Sequence, residues 1–541
     1  MAREFKACPG AIDRRVFVLR AGLLAAGSVF GGSLVGCETI DLEIPCLGPA
    51  VAPMPVPGMT YIKASQIGCA LDCDLSSGRN KSTGGPATDD APRINAAMAG
   101  ATASNPITLI IDGSALISGL FMPAGGNWSI AGLGCGTGFF IKSGTNNDGI
   151  HNGGPNAAVP SDPGPPAPAR GVNVSLSNFT VNGNAGDGRG GDSTTGSPQG
   201  TTGLAWYYCI NLMDLNNILI ENVVVVNSPS YHFRLSNVGN VTVSGCVTLS
   251  RGENTDGLHF DGPANDISIS NCKFTTGDDA IALNCPEGHT GNIARVKVAN
   301  CTFNSLTLMR LYTIEGNEAP LKFNIDTVTV SNCGGTALVA GFAIGIGTGA
   351  VPNSVTNVTI SNCTLTAPAI LDITANFGTV VLNNINLIPS NSSSHPGIAF
   401  VRSARIYGPR TYIGSSLSIN NCAISKNGGL SVAGLIIENN STILNLEFNG
   451  FSSNSPAAEL IDIQSGSIGQ LVINAVNEAN IVAPVSHGAF SSIGTVSGNG
   501  VLATSWEFPD AVMANEVPYI SANSGLPSIK VGGVVEPYSS M

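Results

Sequence analysis

The sequence predicts an all-β chain wound as a single-stranded, right-handed parallel β-helix, a solenoid, with an N-terminal capping helix. Three observations lead there. Composition comes first: 67 glycines among 541 residues, with 11% charged and 6% aromatic residues, favour turns and short strands over helices, while 43% hydrophobic residues exclude a disordered chain. The second is an internal repeat. Val241-Thr242-Val243-Ser244-Gly245-Cys246 returns as Ile267-Ser268-Ile269-Ser270-Asn271-Cys272 and as Val296-Lys297-Val298-Ala299-Asn300-Cys301. It recurs at Val328-Thr329-Val330-Ser331-Asn332-Cys333 and at Val358-Thr359-Ile360-Ser361-Asn362-Cys363, with cysteines 26, 29, 32 and 30 residues apart. The third is the alternation inside each unit, apolar residues interleaved with Ser, Thr or Lys, the period of a strand with one buried face.

A repeat this short cannot bury its own apolar face, so the units must stack, one coil per repeat at about 4.8 Å. Stacking superposes the asparagines into a hydrogen-bonded turn ladder and the cysteines into an interior column. Fainter echoes at Asn178-Phe179, Asn222-Val223, Asn384-Ile385 and Asn421-Cys422 extend the solenoid both ways.

The elements follow in chain order. Residues 1–36 read as an export signal: Asp13-Arg14-Arg15-Val16-Phe17-Val18 resembles a twin-arginine motif, and a weakly apolar stretch runs on to Leu34-Val35-Gly36-Cys37, which resembles a bacterial lipoprotein box. Cleavage before Cys37 and acylation of its thiol would anchor the chain in a membrane, placing it in the periplasm, at the cell surface or outside the cell. A single transmembrane anchor ranks lower, because the run is short, glycine-rich and flanked by Arg20. Residues 37–85, with a stretch rich in Pro, Gly and Ser, form a tether and irregular lead-in. Thr88-Asp89-Asp90-Ala91-Pro92-Arg93-Ile94-Asn95-Ala96-Ala97-Met98 reads as a capped helix start that covers the open end of the solenoid. The β-helix spans 86–500, interrupted by long loops at 153–170 and 183–203, and 501–541 is a tail.

Without residues 1–36 the chain keeps 19 basic and 34 acidic residues, a formal −15, which argues against nucleic acid as a partner. A monomer with a polysaccharide partner and no cofactor is expected. Of the 14 cysteines, those in the column read as small buried hydrophobes, and Cys69 with Cys73, outside the repeat, are the expected disulfide pair. A metal site built on them lacks nearby histidines.

Asn254-Thr255-Asp256-Gly257 and Gly277-Asp278-Asp279-Ala280 lie 22 residues apart, close to one coil, so stacking brings three carboxyls together. Glycoside hydrolysis needs one carboxylic acid to protonate the leaving oxygen and a carboxylate to activate water or attack. Mutual repulsion would keep one of the three protonated. Either motif alone is an ordinary turn; the pair at one-coil spacing favours chemistry.

Asn227-Ser228-Pro229-Ser230-Tyr231-His232, Asn254-Thr255-Asp256-Gly257-Leu258-His259 and Gly277-Asp278-Asp279-Ala280-Ile281 together resemble, in order and spacing, the polygalacturonase-like glycoside hydrolases of family 28 within the pectate-lyase-like β-helix superfamily. The resemblance implies an inverting hydrolase with Asp278 as general acid and Asp256 and Asp279 activating water. It also implies substrate contacts from His232, Asn254, His259, His289, Arg310 and Tyr312. Two departures stand out. His289, in Gly288-His289-Thr290-Gly291, follows Asp279 by only ten residues instead of about a coil, and Tyr312 in Met309-Arg310-Leu311-Tyr312 replaces the lysine of an Arg-Ile-Lys motif. Arg310, 32 residues after Asp278, falls one coil on, at the place the family gives its histidine. For His232 and His259 the alternative is a buried structural role. A polysaccharide lyase using Ca²⁺, or a non-catalytic glycan-binding surface protein, would keep the same solenoid; neither requires the complete acid trio.

Overall fold

The computed structural model describes residues 58–498 apart from 135, 146, 154–165, 186–206, 251, 253, 286, 314–322, 347–353, 392–397, 404–410, 426–431, 456–457 and 478–479, and further on 519–520, 527–531 and 534–537. The expected signal, Cys37 and residues 38–57 of the tether lie outside the described residues.

Three ladders of parallel strands make the body of a β-helix. The first runs from Thr60–Lys63 through Ile107–Ile111, Ile210–Glu221, Phe233–Ser244, Leu258–Ser270 and Ile293–Ala299 to Ile481–Ser497. Its pairings carry the repeat in register, Val241 on Ile267, Ile267 on Val296, Val296 on Val328 and Val328 on Val358. The second ladder holds short strands such as Val247–Leu249 and Lys273–Thr275, and the third holds Ile281–Cys285, Ala369–Ile373 and Ala399–Ser403. From Val296 to Ala299 buried and unburied side chains alternate, so one apolar stripe per coil joins a continuous core. Burying each Val or Ile in it is worth about 1.5–3 kcal/mol, and stacking alone makes that burial possible.

Asn271, Asn300, Asn332 and Asn362 all adopt φ between 55° and 57°, the left-handed conformation that asparagine tolerates better than other residues with a side chain. Side-chain bonds of the expected ladder link Asn222 Nδ2 to Asn178 Oδ1 at 3.2 Å and Asn384 Nδ2 to Asn362 Oδ1 at 3.1 Å. At Asn271, Asn300 and Asn332 the backbone N–H groups continue the ladder to the next coil at 3.0–3.1 Å. Gly245 takes this corner at φ 63°, where a Cβ would come within 2.3 Å of Asn222 Oδ1. The cysteines form the anticipated interior column, each Sγ–H donating to the carbonyl two residues back.

Two expectations about the N-terminal part need correction. Cys69 and Cys73 are both buried free thiols, as are all the described cysteines; burial pushes them up to about 11 and about 12, which keeps them inert. The helix Ala91–Met98 forms and buries Ile94 and Met98 in the core, but Asp90 does not cap it through its side chain. That carboxylate accepts the N–H groups of Ala70 and Leu71 at 2.7 and 3.0 Å, tying the lead-in to the helix start, while Asp89 Oδ1 accepts Ala91 N–H at 3.2 Å. Within the lead-in, Thr60–Lys63 already pairs in parallel with Ile107–Ile111. Beyond residue 500, Tyr519–Ile520, Pro527–Val531 and Val534–Pro537 pair antiparallel.

Candidate active site

The third ladder carries the site because successive coils put residues of one strand parity on its outer side. One row, in strict register, reads Asn211, Arg234, His259, Ala282, Arg310, Ala343, Asp372, Arg402. The next row, two residues along each strand, contains Ser236, Asp261, Asn284 and Tyr312. The turns that enter these strands deliver Asp256 on one coil and Asp278 and Asp279 on the next.

All three aspartates are buried, and one oxygen of each lies within 4.8 Å of the others. Asp256 Oδ1 accepts the Asp279 N–H at 3.1 Å, and Asp279 Oδ1 accepts the Thr307 hydroxyl at 2.5 Å. The Arg310 guanidinium spans the cluster, with Nε 2.8 Å from Asp279 Oδ2 and Nη2 3.9 Å from Asp256 Oδ2. Asp278 has no comparable partner: its Oδ1 is buried without a hydrogen bond. Burial, reinforced by Asp279 and Asp256, holds its carboxyl well above the usual range. Asp279 is raised by burial only to about 6, because Arg310 opposes the effect. Two neighbouring carboxyls with separated proton affinities are what acid–base cleavage uses.

His259 sits against this cluster. Its Nδ1 is 2.6 Å from Asp256 Oδ2, and its Nε2 lies 3.0 Å from Asp261 Oδ1 and 3.2 Å from Glu287 Oε2. The ring stacks on Tyr231 at 3.8 Å with 7° between planes, and Tyr231 stacks on Tyr208 at 5.2 Å. Arg234 pairs with Asp261 and lies 5.5 Å over the Tyr208 ring.

The other expected residues are distributed unevenly. His232 is fully buried behind the acids; its Nδ1 lies 2.8 Å from the Asp256 carbonyl, and burial lowers it to about 4, so it stays neutral. It holds the backbone of Asp256 and faces away from solvent, the structural alternative. Asn254 adopts φ 53° in the turn leading to Asp256, and its carbonyl accepts the Ser230 hydroxyl at 3.5 Å. Tyr312 lies beneath Arg310, ring centroid to guanidinium 5.4 Å, a cation–π contact that aims the arginine at the acids. His289 is not beside the trio. Its Nε2 pairs with Asp214 Oδ1 at 3.2 Å, because its short spacing leaves it in the turn before the next strand. Arg310 instead occupies the coil after Asp279.

Sequence reasoning passed over Tyr231, Asp261, Glu287 and Thr307. Asp261 was legible, two residues after His259 and hence on the same outer face. Glu287 lies in a bend after its strand, and Thr307 at a register shift inside Thr302–Thr313, and no periodicity reveals either. Two groups, His259 with Asp261 and Glu287 and the aspartate trio, bring possible metal-ligating atoms within 4.8 Å. In the first, the imidazole and Arg234 already face the carboxylates where a cation would sit.

Comparison with known proteins bears on this geometry. Residues 151–305 match the model of glycosyl hydrolases family 28, the segment that carries the motifs on which the family resemblance rests. It includes all three aspartates and ends short of Arg310. The chain is 31% identical over 114 residues to an exopolygalacturonase, clone GBGA483, of Arabidopsis thaliana, covering 20% of this chain and 26% of the relative. It is 33% identical over 133 residues to an endo-polygalacturonase of Sclerotinia sclerotiorum, covering 22% of this chain and 33% of that one. The chain thus spans about a quarter to a third of these relatives' lengths. Among solved structures, a tailspike protein of E. coli bacteriophage HK620 matches with a TM-score of 0.54 and 12% identity over 85% of this chain and 80% of that chain, a likeness of fold.

Proposed function

We propose that this chain is a glycoside hydrolase that cleaves polygalacturonan or a related acidic glycan, with Asp278 as general acid and Asp256 and Asp279 activating the attacking water. The observation that carries the reading is the buried trio itself. The Asp278 carboxyl is raised and its Oδ1 lacks a hydrogen bond, while Asp279 accepts the Thr307 hydroxyl beside the Arg310 charge and Asp256 is bonded to His259. The family match over residues 151–305, which hold all three aspartates, supports the hydrolase reading.

The acid gives its proton to the glycosidic oxygen as the bond breaks. Water loses a proton to the Asp256–Asp279 pair as it attacks the anomeric carbon. Arg310 holds the pair in place through its charge, Nε beside Asp279 and Nη2 toward Asp256. The family resemblance implies inversion rather than retention of the anomeric configuration. The anomer first released decides the question, and the inverted one is expected. The test incubates the chain with polygalacturonate, rhamnogalacturonan and neutral glycans, following reducing ends and the anomeric proton signals of the earliest product. Turnover on none of them sinks the proposal.

We further propose that residues 1–36 direct export and that Cys37 is acylated, leaving a membrane-tethered monomer. Mass spectrometry of the mature N-terminus tests this; an unmodified Cys37, or an N-terminus upstream of it, contradicts it.

A further inference from the structure

Building on the proposed hydrolysis, we infer that Glu287 is a positioning residue that acts through His259, the two forming a carboxylate–imidazolium–carboxylate relay with Asp256. Both ring nitrogens of His259 face carboxylate oxygens, Nδ1 toward Asp256 at 2.6 Å and Nε2 toward Asp261 and Glu287 at 3.0 and 3.2 Å. Only the doubly protonated ring can donate to both sides.

The surroundings favour that state. Burial pulls the imidazole's proton affinity down, but Glu287, Asp256 and Asp261 outweigh it and hold His259 well above its ordinary value. Burial pushes Glu287 up, and His259 outweighs that, taking Glu287 down to about 2. Among the described residues, the charged and titratable groups facing the ring are Asp256, Asp261 and Glu287. Arg234 stands behind Asp261, Arg310 lies across the small Ala282, and the Tyr231 ring covers one face.

The geometry gives the relay a mechanical task. Asp256 has one oxygen on His259 Nδ1 and the other on the Asp279 N–H, so its carboxylate cannot rotate away from the attacking water. Glu287, reached by the Asn284 amide, fixes the far end of the ring, and the stack on Tyr231 sets its plane. The imidazolium keeps both protons during turnover; the proton taken from water stays on the aspartates.

The decisive measurement is the ¹⁵N NMR titration of the His259 ring in the full chain, set beside steady-state kinetics of the wild type and Glu287→Gln. In the wild type the ring remains doubly protonated at pH 7. In Glu287→Gln it loses its proton at lower pH, the alkaline limb of kcat moves down with it, and kcat at pH 7 falls at least about tenfold with KM little changed. A neutral ring in the wild type at pH 7, an unchanged titration in the variant, or a loss confined to KM would each overturn the relay. Should Glu287→Gln fail to fold, the wild-type titration still decides. Because the ring signal needs no turnover, absence of activity on every glycan tested defeats the hydrolase reading and leaves the relay to be judged separately.

Discussion

Arg310 and Arg402 stand in the same row of one face, each paired with an aspartate of the preceding coil, and the two pairs do opposite things. In the later coils, Arg402 grips Asp372 through two bonds, Nε to Oδ1 at 2.8 Å and Nη2 to Oδ2 at 3.1 Å, and spends a third on the Val339 carbonyl at 3.1 Å. That arginine is 2% exposed and its aspartate is fully buried. In the acid-bearing coils, Arg310 touches Asp279 with Nε, reaches toward Asp256 with Nη2, and keeps 16% of its side chain exposed. The residues are the same in kind and the pairing is again one coil apart; what differs is company. Asp372 takes two bonds from its buried arginine, so its charge is neutralised and the pair is closed. Asp279 shares its arginine among three crowded carboxyls, so proton affinities separate and chemistry becomes available.

The strongest way to break this contrast is at the acid. Asp278→Asn keeps the shape and removes the transferable proton, so kcat is expected to fall by about 10²–10⁴-fold with the thermal unfolding curve unchanged; unaltered turnover would mean that another group is the acid. At the closed pair the reverse is expected. Asp372→Asn removes the carboxylate that the buried Arg402 grips through two bonds and costs about 3–5 kcal/mol in denaturant unfolding, while kcat of the folded fraction stays near wild type. Replacing both partners, Asp372→Leu with Arg402→Met, recovers much of that loss, because the stranded charge disappears too. No double substitution at Asp279 and Arg310 should restore turnover.

Proton linkage sharpens the comparison further. Asp279, raised to about 6, must be ionised to take a proton from water, so kcat rises as pH climbs through about 6. The stability contribution has the opposite sign: the folded state binds this proton more tightly than the unfolded chain, so its contribution is fully present below the ordinary aspartate range and is lost as pH rises through about 6. Arg310→Met removes the opposing charge, moving the acid limb of the rate profile to higher pH; a limb that stays in place would show that Arg310 does not tune Asp279. The smallest expected effect is far from both pairs. Asn332→Ala forces alanine into a left-handed corner at φ 55°, which costs about 1–2 kcal/mol in unfolding and leaves kcat unaltered.

The fold was legible to an unusual depth because a solenoid is local physics repeated. The alternation in Val296-Lys297-Val298 and the Asn-Cys step after it specify strand, corner and buried column without knowledge of distant contacts. The acids were legible for the same reason: 22 residues is nearly one coil, so sequence spacing translated directly into spatial contact. Where the chain leaves that arithmetic, reading failed. The Asp90 carboxylate bonds the lead-in rather than the helix, Cys69 and Cys73 are close in sequence yet remain thiols, and His289, placed in a turn, finds Asp214 on an earlier coil.

What the sequence by itself determined is therefore the repeating body, its corners, and the meeting of Asp256, Asp278 and Asp279 on neighbouring coils, since each depends on residue spacing alone. Only the tertiary structure decided what surrounds them: that Arg310 lies over the acids on its Tyr312 platform, that His259 is held between Asp256, Asp261 and Glu287, and that Arg402 is locked onto Asp372. Those outcomes depend on side-chain direction and on turns folding back between coils, and neither has a period to be read.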